Sequence, residues 1–216
     1  MIKGIIFDLD GVLVSTDELH YQAWKHLAEE LQITNFTRED NERQRGVSRM
    51  ASLEVVLEKS GRKYTQEEKV RLAEQKNAYY IKLLQSMDES ALLPGVKNAL
   101  HELKYRNMLL GVGSASKNAP AILERTHLLP YLNQVSCGLD TDKSKPDPEV
   151  FLIAAHKLEL APENCLVVED SAAGIEAAAA GGMRSLAVGP FYRQLHADFE
   201  APSIAQVEDW DVILAG

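Results

Sequence analysis

The stretch from Lys3 to Leu13, Lys-Gly-Ile-Ile-Phe-Asp-Leu-Asp-Gly-Val-Leu, constrains this chain more than any other. Gly4, Ile5, Ile6 and Phe7 offer no polar face, which suits a strand buried on both sides in a parallel sheet covered by helices. The carboxyl edge of such a strand faces the crevice where α/β folds bind ligands. Asp8 falls at that edge, Asp10 follows two residues on, and Gly11 lets the chain turn away with positive φ. Two carboxylates with no basic residue beside them repel each other, and a cation relieves the repulsion. Mg²⁺ is the expected ion, because it prefers hard oxygen ligands and shares them with phosphate. Two solvated aspartates in a turn would explain the same residues, so the rest of the chain has to decide.

A chain of 216 residues has room for one good-sized domain and a smaller insertion. The formal net charge of −9 argues against a partner with a phosphate backbone, so no nucleic acid is expected. No run reaches the length of a membrane span, and Met1-Ile2-Lys3 leads straight into the first strand with no apolar leader. Cys137 and Cys165 lack metal-ligand spacing and read as reduced thiols. These features point to a cytoplasmic protein without a membrane partner, expected to be a monomer.

From Thr16 the pattern changes. Leu19, Ala23, Trp24, Leu27, Ala28 and Leu31 recur at three- and four-residue steps, predicting an amphipathic helix over 16–31. Further helices are expected over 41–44, 49–60 and 67–87, the last opened by the capping box Thr65-Gln66-Glu67-Glu68. No strand is expected between Val14 and Leu92. The remainder alternates, with helices over 96–106, 119–126, 149–158 and 172–180. Strands are expected at 108–113, 135–137, 165–168 and 185–188. That alternation implies right-handed βαβ units and a doubly wound parallel sheet. The expected architecture is therefore α/β. A Rossmann-like core of residues 1–15 and 93–216 carries an inserted all-helical cap of residues 16–92, hinged near 14–16 and 92–94.

Three further clusters fall at strand ends. Gly113-Ser114-Ala115-Ser116-Lys117-Asn118 lets backbone amides approach a phosphate and offers the Ser114 hydroxyl, although an N-cap would read the same way. Lys143-Ser144-Lys145-Pro146-Asp147-Pro148 can hold Lys145 as a fixed positive charge, or can be a solvated basic loop. Val167-Val168-Glu169-Asp170-Ser171 repeats the opening theme of buried strand, then acids; Asp170 alone would suit a helix cap. Two pairs of acids at strand ends are harder to explain without a cation.

In order, these four signatures resemble the haloacid dehalogenase-like superfamily. Thr16, His20, Trp24, the turn Arg45-Gly46-Val47-Ser48-Arg49, Ser52, Lys76-Asn77 and the Ser114–Asn118 run are similar to its sugar-phosphate mutase members. The segment Val14-Ser15 and the residue Gly113 depart from the pattern, and residues 190–210 match it poorly. The resemblance implies that Asp8 is the nucleophile and Asp10 the general acid/base, with Ser114 and Lys145 holding the transferring phosphoryl group. It implies Mg²⁺ on Asp8, the Asp10 carbonyl, Glu169 and Asp170. Arg49, Ser116, Lys117 and Asn118 would grip a distal phosphate, beside Ala115, while Gly46 and Val47 contact the sugar. Thr16, His20, Trp24, Ser52 and Lys76 complete the expected substrate site. The implied reaction takes β-glucose 1-phosphate to glucose 6-phosphate through an aspartyl-phosphate and β-D-glucose 1,6-bisphosphate. A sugar-phosphate phosphatase on the same scaffold is the rival. A non-catalytic sugar-phosphate binder fits less well, since it needs no acid/base beside a nucleophile.

Overall fold

A computed structural model of the chain describes residues 1–44 and 47–215. The chain divides into two compact units, Met1–Ser15 with Asp88–Gly216, and Thr16–Met87.

The first unit is built on a parallel sheet. Among the described residues its strands are β1 (Gly4–Phe7), β2 (Leu109–Gly113), β3 (Gln134–Ser136), β4 (Cys165–Glu169), β5 (Arg184–Ala187) and β6 (Phe199–Glu200), in the order β3-β2-β1-β4-β5-β6. Every neighbouring pair is parallel. The order reverses direction between β1 and β4, which defines a switch point at their carboxyl ends. Right-handed crossovers then place α5 (Val96–Tyr105) and α6 (Ala119–Arg125) on one face, and α7 (Glu149–Lys157) and α8 (Ala172–Ala180) on the other. All four residues of β1 are buried, as are all five of β4, because helices cover both faces. One core cluster packs Ile6 and Val167 of the sheet against Val150, Phe151 and Ala154 of α7, Leu158 just after it, and Ala177 and Ala178 of α8.

The poorly patterned tail also joins this unit. β6 pairs with β5 through Leu186–Phe199 and Ala187–Glu200, and α9 (Trp210–Ala215) returns to the first strand, where the Ile2 N–H donates to the Leu214 carbonyl at 3.1 Å. This sixth strand was not expected from the sequence, since two residues carry no period.

The second unit is helical among the described residues, with α1 (Asp17–Glu30), α2 (Arg38–Glu42), α3 (Arg49–Leu57) and α4 (Gln66–Leu84). Trp24, Leu27 and Ala28 of α1 meet Leu53, Val56 and Leu57 of α3 and Ala73 of α4 in its core. The expected capping box opens α4: Thr65 N–H donates to Glu68 Oε2 at 2.8 Å, and Glu68 N–H to Thr65 Oγ1 at 3.3 Å. The short helix expected over 41–44 begins earlier, because Thr37 and Asp40 form a second capping box that starts α2 at Arg38. The second boundary also lies earlier than the expected 92/93. Ser15 N–H donates to the Ala91 carbonyl and Leu93 N–H to the Leu13 carbonyl, which ties residues 88–92 to the sheet unit.

Candidate active site

The carboxyl ends of β1, β2 and β4 lie side by side, with Phe7 in register with Val112 on one side and Val168 on the other. Asp8 is the next residue, and its N–H donates to the Val168 carbonyl at 2.9 Å, so its backbone is fixed by the neighbouring strand. The chain then reverses tightly. Gly11 has φ +84°, its N–H donates to the Val14 carbonyl, and Val14 N–H returns to the Leu9 carbonyl. Only glycine suits this position for a second reason: a Cβ on Gly11 would stand 2.0 Å from Asp170 Oδ2. The carboxylate that follows β4 is therefore packed directly on the turn that joins Asp10 to the rest of the chain.

Lys145 reaches the same place from the loop before α7. Its ammonium lies 2.5 Å from Asp8 Oδ1 and 2.6 Å from Glu169 Oε1, and 4.5 Å from the Phe151 ring centroid. With its side chain 1% exposed, this is a buried charge held by two carboxylates rather than a solvated loop lysine. Burial disfavours the ammonium, but the charges of Asp8 and Glu169 outweigh it and raise the Lys145 pKa, so the residue stays cationic. For Asp8, burial is the largest influence and pushes the pKa up to about 7; the charges of Glu169 and Asp10 act the same way, while Lys145 opposes them. One ammonium does not neutralise the four acids gathered at this edge.

Glu169 is held from several sides. Its Oε2 accepts the N–H of Asp170 and of Ser171, both at 2.7 Å, and the Ser171 hydroxyl at 2.9 Å, while Oε1 takes Lys145. A Cβ on Gly174 would stand 1.9 Å from Oε1, so α8 closes over the carboxylate. Protein donors thus reach both oxygens, and Glu169 holds Lys145 and the turn into α8. Ser171, not Asp170, caps that helix, accepting the Gly174 N–H at 3.2 Å.

Among the described residues, no three His, Cys, Asp or Glu side chains form a ready metal cage. The hard oxygens of Asp8, of the Asp10 main chain and of Asp170, cradled on Gly11, lie at or beside this edge. Mg²⁺ favours this economy, since it takes one or two carboxylates and completes its shell with water and substrate phosphate. The surplus of negative charge fits the same ion.

Ser114 follows β2 at this edge, and it is buried, with its N–H donating to the Ser136 carbonyl at 3.0 Å. Its hydroxyl oxygen accepts the Ser116 N–H at 3.1 Å, and the Ser116 hydroxyl oxygen accepts the Asn118 N–H at 3.2 Å. These two turns shape one loop from Ser114 through Ala115, Ser116 and Lys117 to Asn118, which then enters α6.

The helical unit holds a second cluster. Lys76 Nζ lies 2.9 Å from His20 Nδ1, 4.5 Å from the Trp24 ring centroid and 4.7 Å from that of Tyr80. His20 stacks on Tyr80 with centroids 4.2 Å apart. Burial, then the charges of Lys76 and Arg49, hold the His20 pKa well below the ordinary imidazole range, so the ring is neutral and its Nδ1 accepts from Lys76. Arg49 is the first residue of α3, behind the Ser48 cap that accepts the Ala51 N–H, with Val47 just before it. Thr16 precedes α1 and Ser52 lies on α3, both buried. Gly46, with Arg45, lies outside the described residues. Tyr80, which completes the cluster, was not singled out from the sequence; its place one helical turn beyond Lys76 was the available signal.

The sheet order, the four strand-end signatures and the inserted helices are those of one family, and residues 5–188 match the haloacid dehalogenase-like hydrolases. The chain belongs to that family of enzymes. It is 42% identical over 199 residues to a β-phosphoglucomutase of Bacillus subtilis, covering 91% of this chain and 88% of that one. It is 30% identical over 188 residues to a phosphorylated carbohydrates phosphatase of Thermotoga maritima, covering 86% and 84%. A crystal structure of β-phosphoglucomutase from Clostridium difficile superposes with a TM-score of 0.90 at 36% identity, covering 100% of this chain and 96% of that one. Among the described residues, no helix is long and apolar enough to cross a membrane.

Proposed function

We propose that this protein is a cytoplasmic, monomeric β-phosphoglucomutase, interconverting β-D-glucose 1-phosphate and D-glucose 6-phosphate. The observation that carries the phosphoryl-transfer reading is the buried Lys145 ammonium clamped between Asp8 and Glu169. The likeness to the Bacillus subtilis enzyme supports the mutase over other transfers.

Lys145 holds Asp8 Oδ1 and so fixes the plane of the carboxylate that attacks phosphorus. A bond forms between an Asp8 oxygen and phosphorus as the bond from phosphorus to the sugar oxygen breaks, and Asp10 gives that oxygen its proton. In the return step the other sugar hydroxyl attacks the aspartyl-phosphate, Asp10 takes its proton, and Asp8 recovers its carboxylate. In a turnover the return step comes first: the 6-hydroxyl of β-glucose 1-phosphate takes the phosphoryl group from Asp8, the resulting β-glucose 1,6-bisphosphate exchanges ends, and Asp8 then takes the phosphoryl group from the 1-oxygen, releasing glucose 6-phosphate. Ser114 and Lys145 hold the phosphoryl oxygens. Asp8, Asp170 and the Asp10 carbonyl would hold Mg²⁺, which would neutralise charge on the transferring group. Glu169 aligns Lys145. Arg49, whose planar fork suits a phosphate, grips the distal end with Ser116, Lys117 and Asn118, while His20, Trp24, Lys76 and Val47 shape the sugar site.

The test incubates the protein with Mg²⁺, β-glucose 1-phosphate and a trace of the bisphosphate, counting glucose 6-phosphate and inorganic phosphate together. Glucose 6-phosphate without matching phosphate release is expected. Phosphate released on every turnover would favour the phosphatase reading, which the Thermotoga maritima relative supports.

A further inference from the structure

The loop that carries Lys145 has little burial of its own: Asp142, Lys143, Ser144 and Pro146 are exposed, and only Lys145 turns inward. It is fastened at two points instead. At its start, Asp140 accepts the Cys137 N–H at 2.8 Å and the Lys157 ammonium at 2.9 Å. At its end, one oxygen of Glu149, Oε2, accepts the N–H of Asp142 at 2.9 Å and of Lys143 at 2.8 Å. The Glu149 N–H donates to Asp147 Oδ1 at 3.1 Å, and the Asp147 N–H to the Ser144 carbonyl at 3.0 Å. The segment from Asp142 to Glu149 is thus drawn into a ring, with Lys145 at its inner side and the Glu149 carboxylate as its knot.

We propose that Glu149 is a positioning residue for phosphoryl transfer, holding the Lys145 ammonium between Asp8 and Glu169 by gathering the main-chain N–H groups of Asp142 and Lys143. A lysine side chain has a flexible stem, so the place of its ammonium is set by where its backbone is pinned. Glu149 is the first residue of α7, a rigid element whose next turn includes Phe151 beneath that ammonium. The helix therefore fixes both the floor under Lys145 and the loop that delivers it. An acid in the first turn of a helix also favours the dipole in any protein. That ordinary role would affect stability without acting through Lys145, and this separates the two.

The proposal rests on the reading of Asp8 as a phosphoryl acceptor but not on the mutase outcome. The assay is accordingly phosphorylation of Asp8 by acetyl phosphate with Mg²⁺, which a mutase and a phosphatase share. If the wild-type chain forms no phospho-enzyme, the reading of the site fails before any variant is compared. Given wild-type phosphorylation, Glu149→Ala should slow it by about 10- to 100-fold, the scale of a displacement of about 1 Å. Glu149→Gln, whose amide oxygen accepts the same two N–H groups, should stay within about threefold of wild type. In a Lys145→Ala background, Glu149→Ala should cost less than about twofold, because residues that act as a unit are not additive. Should Glu149→Ala not fold, Glu149→Ser keeps a polar helix start, cannot reach the loop, and serves in its place. Equal losses with and without Lys145, or a Gln variant as slow as the Ala variant, would overturn the proposal.

Discussion

Two lysines lie buried in this protein, one in each unit, and they are held in opposite ways. Lys145 rests against the carboxylates of Asp8 and Glu169, in a setting with more negative charge than it can cancel. Lys76 rests against a neutral imidazole and two aromatic faces, where its charge and that of Arg49 lower the pKa of His20. The sheet unit therefore gathers fixed anions around one cation, and the helical unit gathers cations among rings. The first arrangement is geometrically exacting, since a buried charge left without its partner is costly, several kcal/mol being typical. The second tolerates movement, because a cation over a ring contributes only about 0.5–2 kcal/mol and depends weakly on direction. The two units thus hold their buried cations by different physics, one by fixed charge and one by adaptable contact.

The largest test of that contrast removes the centre of the anionic cluster. Asp8→Asn should lower turnover by about 10⁴-fold or more, as losses of a nucleophile do. Circular dichroism should show the fold retained, since the amide keeps the shape. A variant with a substantial fraction of wild-type rate would end the assignment of Asp8. Asp10→Asn comes next, with a loss of about 10²–10⁴-fold for sugar phosphates. Donors with a better leaving group, which need no proton, should lose less; a uniform loss across leaving groups would remove Asp10 from the acid/base role.

In the helical unit the effects are smaller and more selective. Arg49→Ala should lower sugar-phosphate turnover by about 10- to 100-fold, in the range of about 1.5–3 kcal/mol for a hydrogen bond to a charged group. Phosphorylation by acetyl phosphate, which has no distal phosphate, should be nearly unchanged in the same preparation. If both rates fall together, Arg49 supports the fold rather than the substrate.

The smallest effect concerns His20 and stability. Its folded pKa is depressed, so below the unfolded value of about 6.5 the unfolded chain binds a proton that the folded chain refuses. Stability from this group is present above that pH and is lost as pH falls through it, by at most about 1.4 kcal/mol per pH unit. Denaturant melts of wild type and His20→Gln between pH 7 and 5 should show a flatter profile for the variant, by about one proton. Parallel profiles would mean that His20 charges in the folded state.

How much of this was legible in the sequence follows from how each feature is encoded. The first five strands could be read from their apolar runs between helices, and the acidic ends of β1 and β4 stood out, because a buried run ending in carboxylates leaves few other placements. The positive φ of Gly11 was expected from the turn after β1, whereas the residues left Lys145 open between a fixed charge and a solvated loop, and only the family resemblance put it in the site. Asp8, 137 residues from Lys145 in the chain, was placed beside it by topology rather than by local pattern. β6 escaped notice because its pairing comes from the edge of β5, not from its own residues. Glu169 was assigned to a metal by the family resemblance, from its place at the end of a buried strand. Whether its oxygens are already taken depends on the turn through Ser171, which no spacing records. Glu149 was not singled out, since the N–H groups it accepts belong to a loop whose path the sequence does not show.

The central place of β1 has a consequence for the making of the chain. Its neighbours β2 and β4 are both translated later, and Lys145 leaves the ribosome 137 residues after Asp8. At about 5–20 residues per second this is a delay on the order of ten seconds. Until β4 arrives Gly4–Phe7 is an apolar strand lacking at least one flanking partner, while the helical unit, residues 16–87, is synthesised before either β2 or β4. The oldest segment of the nascent protein is thus the last to be secured, and the interval before β4 arrives is when the chain most needs shielding from its own kind.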